Sequence, residues 1–161
     1  MKKKILIISG IVLLLDQLSK ILAGAFLELN ASKVLIKNFF NLTYVYNEGA
    51  AWSILTGKRI MLIVISLISL YIIYSFIKDF KETKKNILAF GLLIGGILGN
   101  LLDRLFLGYV RDFLDFYIFG YNYPIFNVGD MAIFIGVILL LIAIVKGEDN
   151  GEVCRKKSKN R

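Results

Sequence analysis

The sequence predicts an all-α polytopic membrane protein with four transmembrane helices, a small extracytoplasmic β-sheet and a short interfacial helix. Hydrophobic residues make up 57% of its 161 residues, four long apolar segments recur, and most lysines and arginines cluster beside those segments. Such a composition is typical of a chain whose helices face lipid. One domain is expected over residues 1–146. The charged residues 147–161 predict a disordered basic cytoplasmic tail.

A bilayer-spanning helix needs about 20 residues. The second apolar segment can span unaided, whereas the other three reach that length only by including an acid. We predict spans at about residues 5–26, 60–77, 87–106 and 126–145. The second is free of charge, whereas the other three contain the acids Asp16, Asp103 and Asp130. A charged group inside the hydrocarbon costs about 2.5 to 3.5 kcal/mol. That cost indicates that these acids serve a function.

The first segment also resembles a cleavable signal peptide, since lysines precede an apolar run and Ala23-Gly24-Ala25 follows it. Asp16 and Lys20 interrupt the stretch between the apolar run and that cleavage site. A retained span is therefore the favoured interpretation, and a mature chain beginning at Phe26 would contradict it.

The basic clusters set the orientation, because cytoplasmic loops carry an excess of Lys and Arg. They lie at the amino terminus, between the second and third spans, and at the carboxyl terminus. Both termini are therefore predicted to be cytoplasmic, and the outer loops cover residues 27–58 and 107–124. The excess of 20 basic over 12 acidic residues is expected to face anionic lipid and not nucleic acid.

The first outer loop is expected to be ordered. Val34 to Tyr46 is rich in β-branched and aromatic residues with asparagines at its breaks, which predicts one or two short strands. Ala50 to Leu55 predicts the short interfacial helix, because tryptophan, here Trp52, favours the headgroup region.

Small residues in the third span predict close helix contacts. Gly91, Gly95 and Gly99 recur every four residues, an interval that lets helix backbones approach in lipid. Close packing there would bring Asn100 and Asp103 near the neighbouring helices.

The absence of histidine and the single cysteine exclude Ser-His-Asp triads, Cys-His nucleophiles, disulfide frameworks and nearly all zinc sites. No cofactor or metal is expected. The leading candidates for catalysis are Asp112 and Asp130, because the loop between them contains turn formers and Pro124 and can bring their carboxyl groups together. Two neighbouring carboxyl groups share a proton, so one can activate water while the other hydrogen-bonds a substrate carbonyl. The alternatives are a solvated loop acid at Asp112 and a helix amino-terminal acid at Asp130.

Further charged residues lie at the same predicted depth. Asp16 and Lys20 are four residues apart on one helix, so an ion pair is the default interpretation. Arg104 follows Asp103 and can neutralise it, although adjacent residues point apart on a helix.

Several uncharged and loop residues have two interpretations each. Asn47, Asn100 and Asn127 can clamp a substrate or serve as caps and turns. Glu48 and Asp115 are expected to be solvated.

Five short blocks resemble the lipoprotein signal peptidases of bacteria, also called signal peptidase II. They are Asp16–Lys20 (DQLSK), Asn47–Trp52 (NEGAAW), Gly99–Arg104 (GNLLDR), Val110–Phe113 (VRDF) and Phe126–Asp130 (FNVGD). The match is specific because the blocks follow in order on a four-span layout, and it runs from residue 16 to residue 145.

The resemblance implies an aspartic endopeptidase without metal that removes signal peptides from diacylglyceryl-modified prolipoproteins, on the amino side of the lipidated cysteine. It implies that Asp112 and Asp130 are the catalytic pair. It also implies a set of substrate-binding or site-supporting residues: Asn47, Gly49, Asn100, Arg104, Asn127, Asp16 and Lys20. The implied location is the bacterial cytoplasmic membrane, with the site towards the outer face. Prolipoprotein and membrane lipid are the expected partners of a monomer.

Two residues depart from the pattern of that family. Arg111 stands where a small apolar residue is usual, and Gly129 where alanine is usual. Arg111 is expected to lower the pKa of Asp112 if its side chain folds back. Gly129 is expected to loosen the start of the fourth helix.

Three other functions fit parts of the sequence. Intramembrane acids also mark proton-coupled transporters, but here they occupy one leaflet and no internal repeat is present. A non-enzymatic membrane assembly factor would tolerate both Asp112→Asn and Asp130→Asn. A Ser/Lys peptidase would need Ser53 and Lys58, whose spacing puts them off a shared helical face.

Overall fold

A computed structural model describes residues 1–49 and 54–149. Within them, four helices are long and apolar enough to cross a membrane. They are α1 (Lys2–Phe26), α2 (Arg59–Phe76), α3 (Lys84–Phe106) and α4 (Val128–Val145), and a single 3-10 turn, Ile77–Asp79, extends α2. The predicted fold class, a four-span helical membrane protein with a small sheet, is confirmed. The predicted interfacial helix at residues 50–55 lies largely outside the described residues, as do Ser53 and the tail from residue 150.

The strands form one antiparallel sheet in the order β1-β2-β3-β4. The strands are β1 (Ser32–Ile36), β2 (Phe40–Asn47), β3 (Val110–Ile118) and β4 (Tyr121–Asn122). The first two correspond to the strands predicted in the first outer loop. β3 and β4 lie in the second outer loop, for which the sequence predicted no strand. The pairing of β2 with β3 places Val45 opposite Asp112.

The third helix is the centre of the bundle, since α3 packs against α1, α2 and α4. The glycines of α3 allow the neighbouring helices to approach its backbone closely. A Cβ added at Gly95 would lie 2.6 Å from the Val12 Cβ of α1, and one at Gly99 would overlap the Asp16 carboxylate. The prediction that small residues bring the helices close is confirmed, and it places an acid of α1 directly on the α3 backbone.

The second helix is the most peripheral. Leu62 is its only buried residue among those described, although Ile73 also packs against the core. At its start, Arg59 fixes it to α3 by donating to the carbonyl groups of Arg104 (2.7 Å) and Leu105 (2.8 Å). α2, α4 and the carboxyl-terminal half of α3 together line a cavity.

Candidate active site

A cavity of about 760 Å³ lies between α2, α4 and the sheet. Its volume falls in the range of small-molecule and peptide sites. Most of its wall is apolar and comes from α2, α4 and the strands, for example Leu62, Phe116 and Phe134. Its polar lining comprises Asn47, Asn100, Arg104, Asp112 and Asp130, together with Ser66. Five of the nine predicted site residues, from four separate elements, thus line one cavity, whereas Asp16, Lys20, Gly49 and Asn127 do not.

Asp112 lies on β3 and is only 2% exposed, so its interpretation as a solvated loop acid is wrong. Two asparagines donate to it. Asn47, at the end of β2, donates from Nδ2 to Oδ2 at 2.9 Å, and Asn127 donates from Nδ2 to Oδ1 at 2.6 Å. Both carboxylate oxygens are therefore held, and the side chain has one orientation at the cavity wall.

Asp130 lies in the first turn of α4, where it forms a capping box with Asn127. The Asn127 side chain accepts from the Asp130 amide at 2.9 Å, and the Asn127 amide donates to Asp130 Oδ2 at 3.2 Å. Asn100 of α3 donates to the other oxygen, Oδ1, at 2.7 Å. Asp130 is therefore a helix amino-terminal acid, and it also lines the cavity.

The two carboxyl groups influence each other electrostatically. Burial raises the pKa of Asp112 to about 7, and the negative charge of Asp130 adds to this. The hydrogen bonds from Asn47 and Asn127 oppose the rise because they favour the charged form. At neutral pH, Asp112 therefore carries a proton for a large part of the time beside a second carboxyl group.

Behind the cavity lies a buried charge cluster. Lys20 donates to Asp16 at 2.8 Å, to Asn100 Oδ1 at 2.8 Å and to Asp103 at 3.3 Å, and its side chain is fully buried. The predicted Asp16–Lys20 ion pair is present but forms part of this larger group. Asp16 also accepts from the Gly129 amide at 2.8 Å, which ties α1 to the start of α4.

Arg111 points away from Asp112. Its guanidinium contacts Asp103 Oδ1 at 2.7 Å and Oδ2 at 3.2 Å, and also donates to Gln17 at 2.8 Å. The expectation that Arg111 folds back to lower the pKa of Asp112 is therefore wrong, because neighbouring residues of a strand face opposite sides. The suggestion that Arg104 neutralises Asp103 is also wrong, because the Asp103 carboxylate forms its ion pairs with Lys20 and Arg111.

Arg104 instead contacts the outer loop. Its Nη2 donates to the Gly49 carbonyl at 3.0 Å, while the Gly49 amide donates to Asn47 Oδ1 at 2.9 Å. Gly49 therefore joins Arg104 to the asparagine that holds Asp112. Arg104 also lines the cavity.

The start of α4 is firmly held, contrary to the expectation from Gly129. Besides the capping box, a Cβ added at Gly129 would lie 3.0 Å from Asp16 Oδ1 and 3.1 Å from the Gly96 carbonyl oxygen. The missing side chain thus allows close packing against α1 and α3.

Two acids near the site differ in environment. Glu48 is exposed, as expected. Asp115 is only 3% exposed and accepts from Thr43 at 2.6 Å, so its assignment as solvated is wrong. Asp115 lies on β3, opposite Asn41 of β2. It does not line the cavity.

Sequence reasoning missed Gln17, which joins the charge cluster. Its Nε2 donates to Asp16, to the Gly99 carbonyl and to Asp103 at 3.1 to 3.2 Å. Its place beside Asp16 in a conspicuous block was the available signal. Among residues 1–49 and 54–149, no group of three or more His, Cys, Asp or Glu side chains is arranged to hold a metal ion.

Two buried carboxyl groups at one cavity of a four-span fold point to a membrane-embedded peptidase of the aspartic class, and the similarity to known proteins supports this class. A family model described as signal peptidase (SPase) II matches residues 8–146. The lipoprotein signal peptidase of Staphylococcus aureus is 40% identical over 146 residues, which cover 90% of each chain. The chain belongs to the signal peptidase II family.

Solved structures agree with this assignment. Two, each described as a bacterial membrane enzyme, are 40% identical in sequence and superpose with TM-scores of 0.81 and 0.79. Each alignment covers 88% of this chain, and 87% and 92% of the respective solved chains. The protein is thus a bacterial membrane peptidase that cleaves signal peptides from prolipoproteins, and the transporter and assembly-factor alternatives are not favoured.

Proposed function

We propose that Asp112 and Asp130 are the catalytic pair and that the substrate is a prolipoprotein whose cysteine carries diacylglycerol. One observation carries the proposal: the Asn127 side chain contacts both carboxyl-bearing residues, donating to Asp112 and accepting from the Asp130 amide. A pair fixed by one shared side chain is pre-organised for acid and base catalysis.

We assign the roles of the two groups from their different environments. Asp112, with its pKa near 7, supplies the proton, and the Asp130 carboxylate, held by Asn100 and the Asn127 amide, accepts one. Asp130 takes a proton from water as the water oxygen bonds to the scissile carbonyl carbon. Asp112 gives its proton to the carbonyl oxygen. The tetrahedral intermediate then releases the amine, which takes the proton from Asp130, and the returning carbonyl restores the proton to Asp112.

The remaining polar residues of the cavity fit substrate binding and support of the pair. Arg104 and Asn47 line the cavity and are placed to hold the peptide backbone. Asn100, Asn127 and Gly49 orient other groups of the site through the contacts described above. Asp16 and Lys20 support the site from behind.

The apolar wall between α2 and α4 suits a lipid-anchored substrate. Ile65 of α2 and Ile133 of α4 both line the cavity, and both helices also expose apolar side chains outside it. A substrate held by acyl chains diffuses in two dimensions at a fixed depth, which reduces the entropic cost of positioning. All these groups come from one chain, so a monomer suffices.

The proposed orientation puts both termini in the cytoplasm and the cavity towards the outer face of the cytoplasmic membrane. Lysine clusters at Lys2 to Lys4 and at Lys84 and Lys85 lie at the end of the bundle opposite the cavity. Because Cys154 is the only cysteine, a membrane-impermeant maleimide should label it only after the cells are opened. Labelling in intact cells would contradict this orientation.

Cleavage by purified protein in liposomes tests the catalytic proposal. One prolipoprotein is supplied in diacylated and unlipidated forms, and the products are identified by mass. We expect cleavage of the diacylated form on the amino side of its cysteine, and none with Asp112→Asn or Asp130→Asn. Asp115→Asn, a change of another buried acid on the same strand, serves as the control and should remain active. Undiminished cleavage by either pair variant ends the proposal.

A further inference from the structure

Arg111 makes an unusually complete set of contacts with one acid. Its backbone amide donates to Asp103 Oδ2 at 3.1 Å, its Nε to the same oxygen at 3.2 Å and its Nη2 to Oδ1 at 2.7 Å. The Asp103 side chain is 1% exposed and that of Arg111 is 13% exposed. A paired guanidinium and carboxylate of this kind fix both distance and direction. β3 is thereby attached to α3 at the residue immediately before Asp112.

The same contact sets the charge balance of the buried cluster. Asp16 and Asp103 contribute two negative charges, and Lys20 and Arg111 contribute two positive ones. Without Arg111 the cluster would carry one uncompensated negative charge in a region shielded from solvent. Such a charge acts over longer distances than one at the surface.

The contact also leaves Lys20 available to Asn100. Lys20 lies 2.8 Å from Asn100 Oδ1 and 3.3 Å from Asp103. Because Lys20 fixes the oxygen end of that amide, the nitrogen end is directed at Asp130, 2.7 Å away. An Asp103 carboxylate without its guanidinium would compete with Asn100 for the ammonium group.

We propose that Arg111 is a positioning residue for both carboxyl groups, acting on Asp112 through β3 and on Asp130 through Asp103, Lys20 and Asn100. It touches neither carboxyl group itself. The inference rests on the proposed function, because it assigns Arg111 a role in presenting the Asp112–Asp130 pair. No such role could be expected from an apolar side chain at this position.

The central test is Arg111→Met, which keeps much of the side-chain volume and removes the charge. We expect kcat to fall about 10-fold or more, as for other small displacements of reacting groups, with a smaller change in KM. The unbalanced negative charge should raise the pH at which the Asp112–Asp130 pair loses its shared proton. The alkaline decline of kcat should therefore move to higher pH. The charged groups around the pair are Lys20 and Asp16 of α1 and Arg104 of α3. Asp103 of α3 and Arg111 of β3 are connected to them through the contacts of Asp103 with Lys20 and with Arg111.

Two further variants separate charge from shape. Arg111→Met combined with Asp103→Asn restores neutrality and should return the alkaline limb to its original pH. Arg111→Lys keeps the charge but loses the paired geometry, so it should lower kcat and leave the limb in place. If Arg111→Met does not fold, Arg111→Lys still tests the positioning role, and unchanged kcat in that variant would overturn it.

Lys85→Met is the matched control, because it removes another partly buried ion pair of α3, with Glu148 at 2.7 Å, at the far end of the bundle. It should leave the pH profile unchanged. The proposal is overturned if Arg111→Met retains its kcat, or if it loses activity only in proportion to its loss of folded protein with an unmoved limb. Asp112→Asn in the same assay tests the proposed function separately, since activity in that variant refutes the catalytic pair whatever Arg111 does.

Discussion

Asn127 donates to Asp112 at 2.6 Å while its oxygen caps the helix that carries Asp130. One amide thus joins the beginning of β3 to the start of α4. The Asn127 side-chain nitrogen also donates to Asn100 Oδ1 at 3.1 Å. Asn127 is completely buried, and its side chain has these polar partners. Neither carboxyl group can rotate without breaking a hydrogen bond to an asparagine.

Cleavage should decline as the pH rises through about 7, the pKa of Asp112, because the pair then loses its shared proton. Asn47 favours the charged form of Asp112 by donating to it. Asn47→Ala should therefore raise the pKa of Asp112 and move the alkaline limb of kcat/KM upwards by about 1 in pH. Asn41→Ala, which affects Asp115 instead, is the control. A limb that stays in place or moves downwards in Asn47→Ala would contradict the proposed role of Asp112.

Stability should also depend on pH through Asp112. Its folded pKa of about 7 lies above the ordinary value of 3.8, so between these values the folded state binds more protons than the unfolded state. The free energy of unfolding should therefore decrease as the pH rises from about 4 to about 7. Thermal unfolding in detergent measures this slope, and Asp112→Asn should flatten it. An equal slope in the variant would place its origin in other groups.

Gly99→Ala should destabilise the protein, because the added methyl group would overlap the Asp16 carboxylate. Overpacking of this kind costs about 1–3 kcal/mol. Gly10→Ala is the matched control, since no atom lies within 4 Å of its added Cβ, and a gain of about 0.5–1 kcal/mol is expected from helix propensity. Thermal unfolding of both variants should therefore change in opposite directions. A Gly99→Ala protein as stable as the original would show that α1 and α3 can separate at little cost.

Lys20→Met should be among the most damaging substitutions outside the cavity. It leaves Asp16 and Asp103 buried with one cation fewer and removes the donor to Asn100. Removing one partner of a buried ion pair costs about 3–5 kcal/mol. Lys4→Met, which breaks an exposed contact with Glu82, should not measurably change the unfolding temperature. Comparable unfolding temperatures for the two variants would rule out a structural role for the buried cluster.

The helices could be predicted because each is long and apolar, and lipid imposes that requirement on every span. The paired aspartates were found because the chain has no histidine and because their flanking blocks resemble a known family. β3 was missed for a physical reason. It is stabilised by pairing with β2, more than 60 residues earlier in the chain, and a register shift between Leu42 and Val45 breaks the regular alternation.

The directions of side chains were the feature that could be predicted least well from the sequence. Whether Arg111 contacts Asp112 or Asp103 depends on which side of β3 faces α3, and a one-residue change of register reverses that. Likewise, Asp115 was taken as solvated because nothing local indicates that Thr43 lies beside it. Such contacts depend on packing between distant elements, and no local pattern records them.

The acids and amides at the polar end of the cavity come from β2, α3, β3 and α4, and the last of them, Asp130, follows all the others in the chain. With Asp130 in its proposed catalytic role, a nascent polypeptide stays inert in the bilayer until its final helix has been inserted and capped. On the same assignment, proteolytic removal of that helix would abolish activity with a single cut, since Asp112 would lose its partner acid.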